Sequence, residues 1–78
     1  MITKKAIGAA IRDARTAAGL TQVELAERMG RKQVEIARWE AGRYTPLVDT
    51  FYSLCIAVGA DPGSILTEAA AQTAQEKQ

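Results

Sequence analysis

Gln22-Val-Glu-Leu-Ala-Glu-Arg-Met-Gly-Arg-Lys-Gln-Val-Glu-Ile-Ala-Arg-Trp-Glu-Ala-Gly42 holds two short amphipathic segments joined at a glycine. Its apolar residues Leu25, Met29, Ile36 and Trp39 fall at helical spacing on the two sides of Gly30. Two short helices that cross at a tight turn need a small residue at the crossing, a turn residue that tolerates a left-handed backbone, and apolar anchors. Ala26, Gly30 and those four apolar side chains fill every requirement.

The flanking residues supply the helix ends. Thr21-Gln-Val-Glu24 is a capping box, in which the hydroxyl accepts from an amide three residues on and the carboxylate bonds back. Upstream, Ile7, Ala10, Ile11, Ala14 and Ala18 trace one face of a first helix, from Lys4 to Ala18, that ends at Gly19. The third helix is expected over about Lys32 to Ala41, ending at Gly42. Downstream, Thr45-Pro46 reads as an N-cap followed by proline at the first helical position, and Val48, Phe51, Leu54, Cys55 and Val58 carry a fourth helix to Gly59. Asp61-Pro62 repeats that start for a short fifth helix bearing Ile65 and Leu66. No period-two run survives four residues, so the fold class is all-α, with five helices. Residues 1–66 read as one domain and 67–78, rich in alanine and glutamine, as a tail that is a helical extension or disordered.

Composition narrows the function. The chain has 78 residues, 47% hydrophobic and 24% charged, which is one ordinary globular domain with a thin core. It has no His, and Cys55 is its single cysteine, so zinc sites, imidazole acid/base chemistry and an internal disulfide are excluded; no metal and no cofactor is implied. Cys55 sits in an apolar run and reads as a small buried hydrophobe. Without a Gly-rich phosphate loop or a carboxylate cluster the chain does not read as an enzyme. The longest apolar run, Thr50 to Ala60, is too short to span a bilayer, which points to a cytoplasmic protein.

Net charge is only +1, but its distribution is uneven. Residues 1–20 and 28–43 are each net positive by three, whereas the segment between them is acidic and the chain after Tyr44 is net negative. Positive charge gathered on one half of a small helical domain suits a nucleic-acid partner.

The pattern Leu-Thr-Gln-x-x-Leu-Ala-x-x-x-Gly, then Ile-x-x-Trp-Glu-x-Gly, then Thr-Pro and a helix ending in Val-Gly, resembles the Cro and phage-repressor type helix-turn-helix proteins, the XRE family, from Ile7 through Leu66. The resemblance implies a compact lambda-repressor-like domain whose third helix enters the major groove of double-stranded DNA. On that helix Val34, Ala37, Arg38 and Ala41 lie opposite Ile36, with Lys32 and Gln33 exposed at the amino end. Lys32, Gln33, Val34, Ala37 and Arg38 are therefore the expected base contacts. Gln33 matches adenine N6 and N7, Arg38 or Lys32 matches guanine O6 and N7, and Val34 suits a thymine methyl.

Gln22, Arg31, Arg43 and Tyr44 are the expected phosphate contacts, Gln22 because it opens helix two, where free amides favour an anion. Arg15 and Glu40 form a structural ion pair that recurs in the family, and Glu35 reads as partner to a neighbouring cation rather than to cytosine N4. Trp39 and Phe51 read as core. The resemblance places a homodimer interface at Ala60, Pro62, Ile65 and Leu66, for a transcriptional regulator, a repressor, on palindromic DNA. The chain departs from the family at Arg31-Lys32, where an apolar residue and a hydroxyl are usual. Helix three then lacks the usual hydroxyl cap, and two cations oppose its dipole; a DNA phosphate placed there would offset both, so this end is expected to be fully ordered only on DNA. Two other readings stand beside this one: a DNA-binding antitoxin holding a toxin partner with its tail, or a protein-interaction module that has lost DNA binding.

Overall fold

A computed structural model describes residues 1–76. It comprises α1 (Lys4–Ala17), α2 (Gln22–Met29), α3 (Gln33–Glu40), α4 (Val48–Val58) and α5 (Pro62–Glu76), with no strand among the described residues. The all-α, five-helix reading holds. Residues 77 and 78, the end of the segment read as a tail, lie outside the described residues.

Helix ends follow local chemistry. The Thr21 hydroxyl accepts from the Glu24 amide at 3.1 Å, and the Glu24 carboxylate accepts from the Thr21 amide at 2.9 Å, so the capping box forms as read. Gly30 closes α2 at φ 66°, a left-handed backbone that a β-carbon would penalise, and this permits the abrupt turn into α3. Asp61 caps α5 through the Ser64 amide at 3.0 Å, with Pro62 as the first helical residue.

Two ends differ from expectation. α4 begins at Val48, two residues beyond the Thr45-Pro46 start, because Thr45 and Pro46 stay outside the helix and line an apolar recess with Ile7, Phe51 and Leu66. α5 is not short. It runs 15 residues because Ala69 and Thr73, one and two turns beyond Ile65, are buried. Thr73 accepts from the Thr3 amide at 3.1 Å, and Glu76 accepts from the Thr3 hydroxyl at 3.0 Å, which ties the end of α5 to the start of α1.

The core has two lobes. Ile11, Leu20, Leu25, Ala26, Ile36, Trp39 and Leu54 fill the space among α1 to α4, and Ala6, Ala10, Cys55, Ile65 and Ala69 fill the seam of α1, α4 and α5. Ile7 and Phe51 touch both lobes. Trp39 and Cys55 are thus core, as read. Ile11, Leu25, Ile36 and Leu54 are fully buried, each contributing roughly 1.5–3 kcal/mol.

α1 is the element that sets the position of α3. Gly8 on α1 faces the last turn of α3 so closely that a β-carbon there would collide with the Trp39 carbonyl and stand 2.7 Å from that of Glu40. Only glycine permits this approach. Gly8→Ala should therefore cost about 2–3 kcal/mol, outweighing the roughly 1 kcal/mol that alanine gains inside a helix. Urea denaturation should show a lower midpoint at unchanged slope, and an unaltered midpoint would mean that α1 and α3 can part freely.

Candidate nucleic-acid interface

The outward face of α3 is assembled from the inside. Glu40, its side chain only 5% exposed, accepts from Arg15 Nε at 2.6 Å and Arg15 Nη2 at 2.9 Å, a bidentate pair between α3 and α1. Arg15 also donates to the Leu20 carbonyl at 2.8 Å, and the carboxylate raises the guanidinium pKa further, so the cation is permanent. Glu40 accepts a third bond, from Gln22 Nε2 at 3.0 Å. Because a carboxylate can only accept, the Gln22 amide must turn its NH2 toward Glu40 and its oxygen outward. That oxygen accepts from Gln33 Nε2 at 2.6 Å.

One unbroken line of hydrogen bonds therefore runs from the Arg15–Glu40 pair to the first residue of α3. Gln33 keeps one N–H and its carbonyl oxygen for other partners. Arg15 and Glu40 were paired by the sequence reading, whereas the Gln22–Gln33 contact was not, since residues eleven apart on separate helices have no periodic relation.

Around Gln33, α3 presents Val34, 44% exposed, then half-buried Ala37 and exposed Arg38, while Lys32 stands exposed at the cap position. Ala37 and Ala41 share a cleft of about 330 Å³ with Arg12, Arg15, Gln22 and Glu40. Arg15 and Glu40 cancel there, so the net charge of the cleft comes from Arg12, an exposed cation of α1 that the sequence reading passed over. Its signal was available, for Arg12 lies one turn before Arg15 on the same face. Arg43 and Tyr44 are exposed in the loop after α3.

The start of α3 is completed from within the chain. Glu35 accepts from the Lys32 amide at 3.2 Å and from Arg31 Nη1 at 2.9 Å, so this carboxylate supplies the anion that the sequence reading sought from a phosphate. Arg31 also donates to the Thr50 hydroxyl at 3.0 Å, fastening the α2–α3 turn to α4. The amide of Lys32, then the Arg31 guanidinium, hold the Glu35 carboxyl below its usual pKa. A lowered folded-state pKa adds stability above the ordinary carboxylate value, and this is lost as pH falls through the folded value. Glu35→Gln should therefore melt below the wild type near neutral pH, and the gap should close as pH falls below the ordinary carboxylate range; a gap independent of pH would remove Glu35 from this role.

Of the expected dimer residues, Ala60 and Pro62 are half-buried and Leu66 is 40% exposed, but Ile65 is 4% exposed and lies in the core with Ala6, Ala10 and Ala69. No helix among the described residues is long and apolar enough to cross a membrane.

Comparison with known proteins bears on this geometry. The family model for a helix-turn-helix domain matches residues 6–65. The crystal structure of the clp gene regulator ClgR from Corynebacterium glutamicum is similar at TM-score 0.86 and 36% identity, covering 95% of this chain and 83% of that one. An XRE-family like protein from Pseudomonas syringae pv. tomato is also 36% identical, with TM-score 0.75 over 90% of this chain and 85% of that one. The restriction-modification controller protein C.AhdI from Aeromonas hydrophila is 26% identical, with TM-score 0.75 over 80% and 94%. No curated protein sequence matches the chain.

Proposed function

The chain belongs to the XRE-type helix-turn-helix family of DNA-binding transcription regulators, and from that premise we propose that it is a repressor that binds palindromic operator DNA as a homodimer, with α3 in the major groove. The observation that carries this reading is the hydrogen-bonded Gln22–Gln33 pair at the exposed start of α3. With one N–H committed to Gln22, Gln33 retains a donor and an acceptor, the complement of adenine N7 and N6. Gln22 in turn retains one N–H for a phosphate at the amino end of α2, where the dipole favours an anion.

Arg38 and Lys32 are proposed to read guanine, Val34 a thymine methyl, and Ala37 to admit the base edge closely. Arg43, Tyr44 and the guanidinium edge of Arg31 left free by Glu35 and Thr50 are proposed to hold phosphates, with Arg12 as an added phosphate contact from α1. Each protomer reads one half-site, and half-sites about 34 Å apart follow from one helical turn of DNA. Ala60, Pro62 and Leu66 at the α4–α5 corner belong to the proposed dimer surface.

Fluorescence-anisotropy titration against DNA upstream of the protein's own reading frame, at two salt concentrations with competitor DNA, tests the reading. Arg38→Ala should cost about 1–3 kcal/mol and relax one base position, whereas Arg43→Ala and Arg12→Ala should weaken all sequences alike and reduce the salt slope by about 1 each. Loss of sequence preference in Arg43→Ala but not in Arg38→Ala would reverse the assigned roles, and no binding by the wild type at low salt would refute the function.

A further inference from the structure

α4 is apolar on two faces, and the core uses only one. Leu54 and Cys55 are buried, with Phe51 and Val58 packed beside them. On the outside of the same helix Val48, Tyr52 and Ile56, spaced by four residues, are 87%, 58% and 65% exposed, and Leu47 adjoins them at 75%. Single exposed apolar residues are ordinary, but a continuous line of them on one helix marks an interaction surface. Val48 also borders a recess of about 240 Å³ that it shares with Ile7, Thr45, Pro46, Phe51 and Leu66. An apolar cavity of about 150 Å³ admits benzene, so this recess has room for an aliphatic side chain.

We infer that the outer face of α4 joins two copies of this chain, with Ile56 of each protomer seated in the recess beside Val48 of the other. The patch is self-complementary, since it carries both a protruding aliphatic group and a hole of suitable chemistry, as a twofold interface requires. A twofold axis near Tyr52 sets the two α4 helices antiparallel, opposes Val48 to the partner's Ile56, and leaves the helix dipoles in their favourable alignment. None of the four line residues is charged, so two copies meet on this line without like-charge repulsion.

The exposed area of these four residues and Leu66 is on the order of 500 Å², most of the roughly 800 Å² that each partner gives a standard interface. The inference rests on the reading of the chain as a homodimer and moves the centre of the interface from that corner onto α4.

Sedimentation of the full chain without DNA tests it, with Val48→Lys and Ile56→Asp chosen because both positions are exposed and tolerate charge without loss of fold. Wild type should sediment at twice 8.4 kDa. Each variant alone should sediment as a monomer with an unchanged thermal unfolding profile. Mixing the two variants should restore the dimer, because one of the two crossed contacts then becomes a Lys–Asp pair and the other stays native. Dimers that persist in both variants, or a mixture that stays monomeric, would overturn this surface while leaving a homodimer possible elsewhere. A wild type that is monomeric at about 100 μM overturns the surface, and if it also binds operator as a single copy the homodimer reading fails with it.

Discussion

The bidentate contact of Arg15 with Glu40 is the constraint on which the reading surface depends. It joins the helix that anchors the core to the helix that faces outward, with Glu40 almost wholly buried. Stranding one member of such a pair typically costs about 3–5 kcal/mol, because the other charge is left unpaired and largely shielded from water. Gly8 makes the pair possible by letting the α1 backbone lie against the end of α3. The pair then orients Gln22, and Gln22 orients Gln33, so a buried electrostatic contact determines which atoms of an exposed amide are free.

This arrangement explains how so small a domain can hold a specific surface. Only two helices of eight residues, α2 and α3, carry half of the proposed contacts, including all but one of the base contacts, and isolated helices of that length are unstable in water. Their order comes from Leu25, Ile36 and Trp39 in the core, from the capping box at Thr21, and from Glu35, which bonds both the Lys32 amide and Arg31. The reading side chains therefore stand on a scaffold already fixed, which lowers the entropy lost when a ligand binds.

Much of this was legible in the residues because it is local. Capping at Thr21 and Asp61, the turn at Gly30 and the apolar faces of the helices depend on neighbours within four positions, and the structure has them where the sequence places them. The Arg15–Glu40 pairing was legible through resemblance, not spacing. What escaped depends on tertiary approach: the need for glycine at position 8, the Gln22–Gln33 bond, and the burial of Thr73, whose hydroxyl meets the Thr3 amide across nearly the whole chain. The start of α4 was misplaced because Pro46 serves an apolar recess rather than a helix end. Ile65 is assigned to the surface only by resemblance, whereas in this chain it packs into the seam of α1, α4 and α5 and only its neighbour Leu66 stays exposed.

The face of α3 supported by this network is the surface proposed to meet DNA. Amide and side-chain NMR of the full chain, titrated with the duplex upstream of its own reading frame, addresses it directly. The largest shifts are expected at Gln22, Lys32 to Arg38 and Arg43, including slowed exchange of the Gln33 side-chain amide, with α5 beyond Thr67 nearly unmoved. Shifts confined to α4 and α5, with Gln22 and Gln33 unchanged at saturation, would contradict it.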